Sequence, residues 1–292
     1  MVFGLVAGVA FLVAAWILFQ PRLTAMRRSR IRARPFPPAW RAILRRNVPL
    51  HRRLPPGLQR QLRGHVQVFL AEKSFTGCDG LAVTDEMRVT IAAQACLLLL
   101  DRPDHYYPRL HQVLVYPGPF VVRREQRNGI GLLHDEERVL SGESWSHGQV
   151  ILSWPDVLEG ALSADDGRNV TIHEFAHQLD QETGHANGAP DLAGFQRYPR
   201  WSRVLGQEYG ALQERLHNHE ASLLDPYAAT DPAEFFAVCS EVFFEQPGHL
   251  AAGHPDLYGE LSRFYRVDPR HWDGSTEPVH PVIGEVRTPA AE

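Results

Sequence analysis

Residues 173–177 read His-Glu-Phe-Ala-His, and no other feature limits the fold of this chain as tightly. Histidines four apart share one face of an α-helix, one turn from each other. His173 and His177 can therefore present two imidazoles to one zinc ion (Zn2+). Glu174 lies beside that face, where a carboxylate can act as general base toward water at the metal. Ile172, Phe175, Ala176 and Leu179 surround the motif with apolar side chains, so the helix is expected to be buried. Buried His, Glu, His and Asp180 all need partners. A metal satisfies them; a surface helix with two solvated imidazoles is the alternative. Asp180, seven residues after His173, can accept the second N–H of a ligand imidazole or sit on the helix surface.

A catalytic metal needs a third protein ligand and an open position. The segment from Asp225 to Glu245 offers the next carboxylates in an apolar setting. Asp231 or Thr230 is a suitable helix cap, with Pro232 in the first turn. Phe235, Phe236, Val238, Cys239, Val242 and Phe243 make the helix apolar nearly all round. Glu234 and Glu241, two turns apart on one face, must then be paired. Glu234 as metal ligand with Glu241 as a supporting partner is the simplest assignment; ion pairs with core arginines are the alternative.

His173-Glu-Phe-Ala-His-Gln-Leu-Asp180, Asp225-Pro-Tyr227 and Pro232-Ala-Glu-Phe-Phe-Ala-Val238 together resemble the MtfA (Mlc titration factor A) family of glucose-regulated zinc metallopeptidases. Arg34–Trp40, Asp85–Cys96, Val113–Pro117, Leu140–Trp145 and Leu152–Trp154 are similar to further family blocks in the same order, so the resemblance spans roughly 34–272. It implies one zinc ion on His173, His177 and Glu234, Glu174 as general base, and aminopeptidase-type activity. The family also resembles the catalytic domain of anthrax lethal factor. That likeness implies a tyrosine facing the site seven residues before the ligand glutamate, here Tyr227, able to donate to an oxyanion. A loop aromatic packed on Pro226 is the plainer reading of Tyr227.

Elsewhere the chain divides by composition. Val2–Phe19 is an uninterrupted uncharged run of 18 residues with no basic segment before it, which predicts an uncleaved membrane anchor over 1–21. Thirteen arginines and no carboxylate fall within 22–63; the first acid is Glu72. Arginines following a span stay cytoplasmic, so the expectation is a single-pass protein of the cytoplasmic membrane with its body facing the cytoplasm. A cytoplasmic protein without an anchor is the alternative. The basic stretch suits anionic lipid headgroups; its position beside an apolar run makes a nucleic-acid partner unnecessary. Residues 22–37 are expected to be an Arg/Pro-rich linker, 38–272 the peptidase domain, and 273–292 a disordered tail. Cys78, Cys96 and Cys239 form neither a disulfide framework nor a CxxC pair.

Periodicity predicts helices at 38–47, 56–73, 85–100, 168–182, 198–217, 232–245 and 255–265, and strands at 111–116, 119–124 and 149–154. The fold class is α+β: a zincin-like domain, mostly helical with a small sheet, after an N-terminal transmembrane helix. An exposed strand beside the metal helix would pair with extended substrate. Gly148–Trp154 is the candidate for that edge, with an interior strand as the alternative. Asn169-Val-Thr171 is a formal glycosylation sequon that reads better as a helix cap.

Three functions remain open on sequence grounds. The first is a zinc peptidase acting on a peptide or protein substrate. The second, implied by the family name, is a regulatory protein that sequesters a transcriptional repressor. The third, resting only on the anchor, is a membrane-bound quality-control protease.

Overall fold

Helix α5 (Asp85–Leu97) runs through the centre of the molecule, with ten of its side chains buried. Thr84 caps it, accepting from the Met87 N–H at 3.3 Å. The computed structural model describes Trp16 and residues 19–102, 105–127, 133–145, 148–192 and 194–272; for 121–127, 133–140 and 145 it describes the backbone alone. Around α5 pack α4 (Pro56–Glu72), α2 (Pro38–Asn47) and α7 (Val170–Asp180), the helix that carries the HExxH motif.

A four-stranded sheet lies beside these helices in the order β1 (Ser74–Gly77), β2 (Gln112–Tyr116), β6 (Gln149–Ser153), β5 (Gly142–Trp145). The first three strands are parallel, and β5 runs antiparallel to β6. Val113, Val115, Val150 and Leu152 face the core. β3 (Phe120–Arg127) and β4 (Leu133–Leu140) form a separate antiparallel hairpin. The short helix α3 (Leu50–Arg53) follows α2, and α6 (Trp154–Leu162) follows β6 directly because Trp154-Pro155-Asp156 makes a good first turn. The C-terminal layer comprises α8 (Tyr198–His217), α9 (Pro232–Glu245), α10 (Pro247–Gly253) and α11 (Pro255–Tyr265). Its aromatic core joins Trp201, Phe236 and Phe264, with ring centroids 5.6–5.8 Å apart.

The expected α+β class, mostly helical with a small sheet, agrees with this architecture. Three expectations need correction. Residues 19–32 are a helix, α1, rather than linker, and only 35–37 are extended. Arginine is a good helix former, and no Gly or Pro interrupts 22–34. Arg28 then fixes the helix to α4 by a bidentate pair with Glu72, at 2.9 and 2.8 Å. Second, β6 is interior, flanked by β2 and β5, so Gly148–Trp154 is not a sheet edge; the edges are β1 and β5, and β5 is the one beside α7. Third, Trp154 opens α6 instead of ending a strand. The expected anchor over 1–21 falls almost wholly outside the described residues, as does the tail from 273. Among the described residues no helix is long and apolar enough to cross a membrane.

Candidate metal centre

The apolar side of α7 fixes the position of its polar side. Ile172, Phe175, Ala176 and Leu179 are all buried. Phe175 wedges between Phe69 and Tyr107, at centroid distances of 5.7 and 4.9 Å. With that face locked, His173 and His177 turn toward α9. Asp231 caps α9 by accepting from the N–H groups of Ala233 and Glu234, at 2.8 and 3.0 Å. Glu234 is thereby held at the start of an otherwise apolar helix, opposite both imidazoles.

His173 Nε2, His177 Nε2 and Glu234 Oε2 form a small triangle. The nitrogens are 3.2 Å apart, and the carboxylate oxygen is 2.9 Å from one and 3.3 Å from the other. A tetrahedral ion with bonds of roughly 2.0–2.1 Å needs donors about 3.3 Å apart, so the three atoms match one face of such a site. Among the described residues these are the only three His, Cys, Asp or Glu side chains that converge in this way. Burial alone would raise the Glu234 carboxyl, but hydrogen bonding to both imidazoles holds it well below the usual carboxylate range. Burial likewise opposes charge on His173, and Glu241 and Glu234 together override it, keeping that imidazole well above its ordinary value.

Glu241 occupies the far side of His173, with Oε1 accepting from Nδ1 at 2.7 Å. Its other oxygen accepts from the Asn169 backbone N–H. Asn169 is a junction in its own right. Its Oδ1 caps α7 at Ile172 N (3.0 Å), and its amide donates to Gly160 O (3.0 Å) and Glu245 Oε1 (2.9 Å). Burial pushes the Glu245 carboxyl up to about 9, against the hydrogen bonds from Asn169 and Gly167 that favour its charged form. Asn169→Ala removes a cap worth about 1 kcal/mol and strips donors from buried acceptors at about 1–3 kcal/mol more. The expected result is a loss of about 3 kcal/mol in chemical denaturation. The buried asparagine is a cap, as the sequon residue was expected to be.

Glu174 points to the opposite side of the cluster, toward β5. Burial pushes its carboxyl up to about 7 against the pull of His173 and His177, with Glu234 and the buried Glu143 adding to the rise. Gly142 lets it sit there. A Cβ at 142 would lie 2.7 Å from Glu174 Oε1 and 2.6 Å from Val170 Cγ2. Gly142→Ala is therefore expected to displace Glu174 while leaving the three converging donor side chains alone. A misplacement of about 1 Å costs on the order of 10²-fold in rate, so any turnover that uses this carboxylate should fall by about that factor.

β5 is tied to α7 through Ser144, whose Oγ accepts from Gln178 at 2.6 Å and whose carbonyl accepts from Gln181 at 3.3 Å. Ser153 N donates to Ser141 O at 2.9 Å, so the backbone of 141 faces β6. By strand alternation the backbone groups of Gly142 and Ser144 face outward. Tyr227 stands in a single 3-10 turn (Pro226–Ala229) that Asp225 caps, with its ring 6.1 Å from that of His173 and 46% of its surface exposed. Asp180 does not fill its expected role. Its Oδ2 accepts from the backbone N–H groups of Asn187 and Gly188, both at 2.7 Å, and so anchors the loop after α7.

Residues 23–266 match the glucose-regulated metallo-peptidase M90 family. The chain belongs to that family. It is 40% identical over 258 residues to an uncharacterized protein of Synechocystis, covering 88% of this chain and 94% of that one. It is 38% identical to Mlc titration factor A of Pectobacterium atrosepticum (79% and 86% covered) and 36% identical to that of Klebsiella pneumoniae (76% and 84%). The MtfA resemblance read from the motifs is thus established, and M90 membership supports a metallopeptidase built around a metal ion. The M90 match begins at 23, so it takes in most of α1.

Sequence reasoning brought His173, Glu174, His177, Glu234, Glu241 and Tyr227 to this site. It missed Gly142, Ser144 and Gln178, and saw Asn169 only as a cap. The signal for the first two was present in the block Leu140–Trp145. A four-residue strand containing Gly, Glu and Ser has little strand propensity, however, and went unread.

Proposed function

We propose that this M90 protein is a zinc-dependent peptidase whose zinc is held by His173, His177 and Glu234. The observation that carries the reading is the triangle of three donor atoms with sides of 2.9–3.3 Å, fitted to one tetrahedral face. Two imidazoles and a carboxylate suit zinc among the common divalent ions. When bound, the ion supplies Lewis acidity and lowers the pKa of a water molecule toward about 7.

The protein's own groups supply the remaining chemistry. Glu174, with a carboxyl near neutrality, takes a proton from the attacking water and returns it to the leaving amine. Tyr227 donates its phenol to the oxyanion formed from the peptide carbonyl. The outward backbone groups of Gly142 and the outward N–H of Ser144, whose carbonyl already accepts from Gln181, align an extended peptide along β5 by strand addition. Aminopeptidase-type cleavage remains the expectation drawn from the family resemblance. Elemental analysis of the purified protein together with a peptide-library digest tests the proposal. One equivalent of zinc and cleavage near free N-termini are expected; a metal-free protein, or loaded protein without hydrolysis, counts against it.

A second reading follows from the name Mlc titration factor A carried by the Pectobacterium and Klebsiella relatives. On this reading the chain sequesters a transcriptional repressor and its hydrolysis is secondary. A pull-down comparing wild type with Glu174→Gln separates the two. Repressor capture unaffected by the substitution, with no hydrolysis by wild type, favours the regulator.

We also propose that the N-terminal segment holds the peptidase at the cytoplasmic face of the membrane. Trp16, Phe19, Leu23 and Met26 recur at helical spacing and are 64, 56, 52 and 53% exposed. Arg22, Arg27 and Arg30 lie exposed among them. Apolar side chains among arginines suit an anionic bilayer, at about 1 kcal/mol per basic residue near its surface. The full-length chain is expected in the membrane fraction, and a chain lacking 1–21 in the supernatant. A full-length protein found in the supernatant would remove both the anchor and the membrane-bound quality-control role.

A further inference from the structure

The helices α8 and α11 enclose a recess of about 220 Å³ that the metal chemistry does not use. Arg197, Arg200 and Arg263 line it with Glu260, Trp201 and Phe264. Three guanidiniums thus face one carboxylate. Glu260 is buried, and its Oε1 is shared by Arg200 and Arg263. Asp256, 3.9 Å from Arg200, is largely exposed and not part of the lining. Arg197 donates only to the Leu192 carbonyl, at 3.2 Å, and has no carboxylate partner among the described residues. Behind the wall, the Arg102 guanidinium sits 4.4 Å from the centre of the Phe264 ring and adds further positive charge.

Guanidiniums present several N–H donors in a fixed fork, and those of Arg200 and Arg263 are not exhausted by one shared oxygen. A concave site with excess positive charge and an apolar floor concentrates small anions. The floor is also connected. Trp201 Nε1 donates to Gly188 O at 2.8 Å. Gly188, at φ +76°, donates its N–H to Asp180 of α7 and lies so close to Pro232 of α9 that a Cβ would stand 2.4 Å from the Pro232 oxygen. One turn therefore joins the recess to both helices that carry the metal cluster.

We propose that the α8–α11 recess is a second binding site, for a small multivalent oxyanion held by Arg197, Arg200 and Arg263 over Trp201. Di- or polycarboxylates and phosphate compounds share that chemistry. Calorimetric titration of the full chain with succinate and, separately, with inorganic phosphate at constant ionic strength distinguishes the two sources. Saturable binding of either supports the site, and the tighter arm names the class. Arg197→Gln/Arg263→Gln is expected to weaken that binding at least tenfold, whereas Arg197→Lys/Arg263→Lys keeps part of it. Should the double Gln variant fail to fold, Arg197→Gln alone serves, since it removes just one hydrogen bond to a carbonyl. Saturable binding should also change the intrinsic fluorescence in wild type and much less in Trp201→Phe. No saturable binding of either anion, or equal binding by wild type and the Gln variants, overturns the proposal.

Discussion

Replacing Glu174 with Gln is expected to abolish peptide hydrolysis while the protein keeps its metal. The side chain is buried between α7 and the Gly142 backbone, and Gln matches it in shape, so the local packing persists. The three converging donors belong to His173, His177 and Glu234, none of which the substitution alters. What disappears is a carboxylate able to accept a proton and hand it on. General acid–base groups contribute about 10²–10⁴-fold, and in the proposed reaction one residue serves both transfers, so a loss of about 10³-fold or more is expected. Metal content by mass spectrometry and turnover on the same preparation provide the check. Hydrolysis at the wild-type rate in a clean Glu174→Gln sample would move the reaction away from this cluster altogether. The predicted contrast with Gly142→Ala is one of degree: there the base survives but is displaced, and the loss is smaller, about 10²-fold.

The parts of this site that were legible in the sequence are those whose physics is local or compulsory. The HExxH spacing is local, since one helical turn brings His173 and His177 together whatever else the chain does. Glu234 and Glu241 were legible because a carboxylate in an apolar helix must find a partner, and the only cation-binding motif nearby was already identified. Helices α4, α7, α8, α9 and α11 announce themselves through length and periodicity. The sheet did not. β1 and β5 are four residues long and rich in Ser and Gly, and the edge position of β5 depends on strand order, which no local pattern encodes. The assignment of Gly148–Trp154 as the edge failed for that reason: its apolar run marks a strand buried between neighbours. Asp180 shows the same limit. Its spacing from His173 suited an imidazole partner, but the turn at 187–188 returns to α7 and takes the carboxylate first.

Glu241, the supporting partner expected from the sequence, carries the other large effect. Glu241 is the residue that orients His173, through a 2.7 Å contact at Nδ1, and its second oxygen is engaged by the Asn169 N–H. Both neighbours are donors, so the site demands two acceptor oxygens. Glu241→Gln offers one acceptor and one amide that faces a donor, and Glu241→Ala offers neither. Without that contact the His173 ring loses its fixed tautomer and much of its basicity toward a cation. Partners of this kind are worth about 10–100-fold in metal affinity. Either substitution should weaken zinc by about that factor in competition with a chromophoric chelator. Asp180→Asn is the informative comparison. It disturbs the buried anchor of the 187–188 turn and should lower the melting temperature, yet it touches neither imidazole through any hydrogen bond described above. Chelator competition that shifts with Asp180 and not with Glu241 would mean that the imidazoles take a different orientation once the ion is bound.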